Sequence, residues 1–116
     1  APAVLKACEE AGIYAFGNNI DQFELAPDAI LTSAIQDIGG AITMVAALAG
    51  KGEIESKKYV IGLETPELVR FGTFNEAIPA EVRGQVEAVA EDMVAGKLTF
   101  EDTEENGKAA VRLVSS

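Results

Sequence analysis

Asn18, Asn19 and Asp21 follow an apolar run, Ile13-Tyr14-Ala15-Phe16, and a glycine, and Gln22 comes directly after them. A carboxylate can accept hydrogen bonds from two adjacent hydroxyls, and a side-chain amide both donates and accepts. The group therefore suits a polyhydroxylated ligand held just past the carboxyl end of a buried strand. Asn and Asp are also ordinary turn residues, and spacing alone leaves both roles open. Asp21 with Glu64 can be set against each other as an acid/base pair, though two loop carboxylates are commonplace. Thr32 and Ser33 carry hydroxyls that serve a ligand or, as is usual in strands, local backbone. Phe71 and Phe74 either stack on a base or anchor the core.

Other chemistry is thinly provided for. The sequence contains no His, which removes the commonest general base and metal ligand. Its single Cys8 has no partner for an internal disulfide and sits in a helical pattern, where it reads as a small core residue. Gly50-Lys51-Gly52 follows a helix, the wrong context for a phosphate loop. No catalytic residue, metal site or cofactor is expected.

Positioning these groups falls to a chain of 116 residues, 48% of them apolar, enough for one α/β domain with a core. The formal net charge is −10. With no Lys/Arg cluster, the composition argues against a nucleic-acid or anionic-membrane partner. No apolar run reaches membrane-spanning length.

Pro2 to Ala11 reads as a helix ended by Gly12. It opens without a cap, which predicts that sequence precedes it. Ile13–Phe16 reads as a strand covered on both faces, and Gly17–Pro27 as a polar loop. Ile30–Ile35 is a second strand. Asp37 is placed to cap a helix through about Ala49 that has almost no polar face, so it needs cover on several sides. Tyr59–Leu63 is a third strand, Glu64–Glu67 a turn, and Leu68–Phe74 an extended stretch. Pro79 opens an amphipathic helix with Val82, Val86, Val89 and Met93 on one stripe, and Gly96 ends it. Leu98–Phe100 and Ala109–Val114 read as short strands flanking an acidic stretch.

Ala11-Gly-Ile-Tyr-Ala-Phe-Gly-Asn-Asn-Ile-Asp-Gln22, Leu25-Ala-Pro27, Ile30-Leu-Thr-Ser33, Tyr59-Val-Ile-Gly-Leu63, Phe71-Gly-Thr-Phe-Asn75 and Ile78-Pro-Ala-Glu-Val82 together resemble the C-terminal part of the basic membrane protein family. These are substrate-binding proteins of ABC transporters, purine nucleoside receptors among them. The resemblance runs from residue 1 to about residue 100; the tail from Glu101 to Ser116 matches nothing in it. It implies an α/β fold, part of a type I periplasmic-binding-protein fold with three α/β/α layers and a mostly parallel sheet. On that reading the chain is a C-terminal fragment contributing to both lobes without completing either. Residues 1–30 and 62–116 would belong to the C-terminal lobe, and about 31–61 would cross into the N-terminal lobe.

The same resemblance implies that Asp21 grips ribose hydroxyls with Asn19 beside it. Glu64 stands where many members carry a Lys near the base, a charge reversal at that position. The implied function is the solute-binding component of an ABC importer, capturing a nucleoside-like molecule by lobe closure without covalent chemistry. A ligand-sensing domain of the same fold, or an independent small α/β enzyme using Asp21 as base, are the alternatives. The implied partners are a nucleoside-like ligand, an ABC permease, and either the missing N-terminal part or a second copy. The implied location is periplasmic or extracellular, with a lipoprotein-type membrane anchor.

Overall fold

The apolar face of the first helix and the second strand set the position of everything else. A computed structural model describes residues 2–98. Helix α1 spans Pro2–Ala11, β1 Ala15–Asn19, a short 3-10 turn Phe23–Leu25, β2 Ile30–Gln36, α2 Ile38–Gly50, β3 Val69–Phe71 and α3 Ala80–Val94. Leu5 of α1 meets Ala26, Ala29 and Ile30 in the core, with Cys8, Ala15 and Leu25 packed around them. Cys8 is half-buried at the edge of this core rather than fully inside it.

The sheet has the order β1-β2-β3, with β2 central. β1 runs parallel to β2, and β3 runs antiparallel to it. Ala15 pairs with Ile30 but Gly17 pairs with Ser33, so β2 carries an extra residue opposite Phe16. Such a bulge re-aims the side chains beyond it. Here it brings Ser33 directly against Gly17.

β1 lies further along the chain than Ile13–Phe16. The Ile13 N–H donates back to the Cys8 carbonyl at 3.0 Å and the Gly12 N–H to Glu9 at 3.1 Å, a helix-ending arrangement that claims Ile13 for α1. Pairing starts only at Ala15, whose N–H donates to the Ala29 carbonyl at 2.9 Å. The strand is also not covered on both faces, since Tyr14 and Phe16 are exposed.

β2 and α2 form where expected. Asp37 caps α2 by accepting the Gly40 N–H at 2.8 Å. The expected strand at Tyr59–Leu63 does not form. Both sides of β2 are taken by β1 and β3, and the segment instead satisfies itself locally. The Glu55 N–H donates to the Tyr59 hydroxyl at 2.9 Å, and the Gly62 N–H to the Glu64 carboxylate at 3.0 Å.

α3 begins after Pro79 as expected, but its stripe is not buried: Val82, Val89 and Met93 are exposed. Its attachment is aromatic. The Arg83 guanidinium lies over the Phe74 ring at 4.6 Å, and Phe74 meets Phe71 edge-on at 5.6 Å. The strands read at Leu98–Phe100 and Ala109–Val114 lie, apart from Leu98, outside the described residues.

The expected three-layer, mostly parallel architecture is corrected. Among the described residues the fold is a small α/β unit on a three-stranded mixed sheet. The antiparallel β3 takes the place beside β2 that a parallel strand would need, and neither α2 nor α3 buries a residue against the sheet.

Candidate functional site

β1 and β2 point their carboxyl ends at one open cavity of about 500 Å³. Asn19 and Asp21 line it from the β1 exit, Gln36 and Asp37 from the β2 exit, Gly39 from the start of α2, and Arg70 from β3. A cavity thus lies at the ends of the parallel strand pair. Its surroundings explain how it is held.

Gly17 is the first fixed point. A Cβ there would overlap the Ser33 hydroxyl and lie 2.9 Å from Ser33 Cβ and 3.0 Å from Gln22 Cβ. Ser33 is fully buried, and its hydroxyl accepts the Gln22 N–H at 3.1 Å. The Gln22 side chain in turn accepts the Asn18 N–H at 2.8 Å. Gln22 thus ties the β1 exit to β2 at two points, and Ser33 serves backbone, the ordinary role of a strand hydroxyl. Thr32 does the same, donating to the Gly72 carbonyl at 3.3 Å.

Asp21 is the second fixed point. One carboxylate oxygen accepts the Thr73 N–H at 2.8 Å and the Thr73 hydroxyl at 2.6 Å. The other accepts the Phe23 N–H at 3.2 Å and starts the 3-10 turn. Gly72 makes this approach possible, because a Cβ there would stand 2.9 Å from the Asp21 carboxyl carbon. The Thr73 hydroxyl bond is the main cause holding the Asp21 carboxyl below its ordinary value. Burial opposes this as the next largest effect, and the Thr73 and Phe23 N–H groups and the Arg70 charge each lower the value further by less. A carboxylate so occupied is a weak base and a poor free acceptor. Its work here is to join segments 52 residues apart.

The remaining candidates divide. Asn19 lies on the cavity with left-handed backbone, φ 71°, which Asn tolerates better than most residues. Asn18 is exposed and contributes its N–H to Gln22. Glu64 does not line the cavity and closes its own turn at Gly62. The structure therefore brings together Asn19 and Asp21 and leaves Asn18 and Glu64 apart from them.

Three residues not singled out in sequence complete the setting. Thr73 supplies two of the Asp21 bonds. Arg70 lines the cavity while its guanidinium donates to the Glu67 carbonyl at 3.0 Å. Asn75 donates its amide to the Pro27 and Ile30 carbonyls at 2.9 and 3.0 Å, and its N–H to the Leu31 carbonyl at 2.7 Å. Thr73 and Asn75 belong to the Phe-Gly-Thr-Phe-Asn run from 71 to 75, whose local sequence gives no sign of partners so far away in the chain.

The comparisons revise the functional expectations. No protein-family model matches the chain. It is similar to the transcriptional activator protein Med of Bacillus subtilis (strain 168), 28% identical over 83 residues, 72% of this chain and 26% of that protein. It is also similar to the crystal structure of a transcriptional activator of the comK gene from Bacillus halodurans. That match has a TM-score of 0.76 and 26% identity, and covers 86% of this chain and 35% of the other. The chain thus spans about a quarter to a third of the proteins it matches.

These similarities overturn the resemblance to the basic membrane protein family, since the matched proteins are transcriptional activators. The importer function, the sensing alternative, the nucleoside-like ligand and the ABC permease fall with it. So does the periplasmic, lipid-anchored location, which rested on that resemblance. The type I periplasmic-binding-protein assignment gives way to a small α/β unit with the mixed sheet, similar to the comK activator structure.

Proposed function

We propose that this chain is a segment of a cytoplasmic transcriptional regulator and carries out no covalent chemistry. The observation that carries the proposal is the fold match over 86% of the chain to an activator of the comK gene. The sequence similarity to Med supports it independently of the coordinates. Nucleic acid accordingly takes the place of nucleoside and permease as the partner class of the regulator. The segment's own balance of −10 opposes contact with a phosphate backbone. In this proposal the segment serves the regulator through protein contacts and the shape of its strand-end cavity, not by gripping phosphate.

The proposal of no covalent chemistry is supported by the state of Asp21, the base of the enzyme alternative. Three donors occupy its carboxylate, and its proton affinity is lowered when a general base needs it raised.

Transcript profiling tests the regulatory reading. In the host, the gene is deleted and restored either intact or with residues 2–98 removed. A defined set of transcripts should fall on deletion and recover only with the intact gene. An unchanged transcript profile under conditions where the protein is made would refute the proposal. Recovery with residues 2–98 removed would refute the segment's part in it.

A further inference from the structure

We draw no further inference here: the strongest candidate, the uncharged face of α2 with Ile38 and Ile42 exposed beside Tyr59 and Ile61, carries no proposal because nothing in the structure shows what covers it.

Discussion

Replacing Asp21 with Ala removes three acceptor contacts at once: 2.8 Å to the Thr73 N–H, 2.6 Å to the Thr73 hydroxyl and 3.2 Å to the Phe23 N–H. Hydrogen bonds to charged groups contribute about 1.5–3 kcal/mol each when well sheltered, and neutral ones about 1. Asp21 is exposed, so water takes over part of each contact. The expected loss is therefore about 2 kcal/mol in total, well below three sheltered charged bonds. Asp21→Asn keeps one acceptor and loses the charge, and should cost about half as much. Thr73→Val keeps the N–H contact and loses the shortest bond. Combined with Asp21→Asn it should cost less than the sum of the two, with a coupling of about 0.5–1.5 kcal/mol.

Two assays read this directly. Urea unfolding of the protein gives the free-energy change, and native-state hydrogen exchange at Thr73 reports the contact itself. Exchange at that amide should accelerate in Asp21→Ala. An unaltered Thr73 exchange rate together with an unaltered unfolding midpoint would refute the reasoning. The clamp also sets a pH dependence. The folded-state carboxyl sits below its ordinary 3.8, so between the folded and unfolded values the folded state binds fewer protons. Its contribution is complete above the unfolded value and is lost as pH falls through the folded one. The acid limb of a stability–pH curve should flatten in Asp21→Asn.

Other substitutions have sharper steric or polar causes. Gly17→Ala drives a methyl into the Ser33 hydroxyl and should cost about 2 kcal/mol through overpacking, read by urea unfolding. Asn75→Asp turns a donor toward the Pro27 and Ile30 carbonyls into an acceptor, and should destabilise by about 2–3 kcal/mol, more than Asn75→Ala, in the same assay. Leu5→Ala opens the α1–β2 core and should cost about 2–4 kcal/mol. Ile42→Lys, at a residue 66% exposed, should change the stability of this chain by under about 0.5 kcal/mol.

Local rules carried the helices well. Pro2 and Gly12 bound α1, Asp37 caps α2, and Pro79 precedes α3, because each boundary is set by chemistry within a few residues. The strands were legible only where their neighbours agreed. Ile30–Ile35 is strand because β1 and β3 both pair with it. Tyr59–Leu63 has the same β-rich composition but no ladder partner, so composition misled. The cavity's position followed from the apolar run ending at Gly17. The occupation of Asp21 did not, because its principal partner lies 52 residues away and Thr73 carries no local sign of that role.

That difference decides how the polar cluster is understood. In sequence, Asn18, Asn19 and Asp21 form one polar group after a strand, with Asp21 as its ligand-gripping member. In the fold they do unlike things. Asn18 is in β1 and bonded to Gln22, Asn19 turns the chain with a left-handed backbone, and Asp21 fastens the antiparallel β3 exit to a parallel strand pair. Past β3 the chain stays bonded to β2 through the Gly72 N–H to the Ser33 carbonyl at 2.8 Å and the Asn75 N–H to the Leu31 carbonyl at 2.7 Å, and Asp21 adds the tie to the β1 exit. β3 pairs with β2 over only three residues, and the clamp begins two residues beyond it, where Gly72 admits the carboxylate. Removing the carboxylate should therefore loosen β3 before it disturbs the β1–β2 pair. Hydrogen exchange across residues 69–75 should rise in Asp21→Ala while exchange at Gly17 and Ser33 stays slow, an ordering that a general loss of stability would not produce.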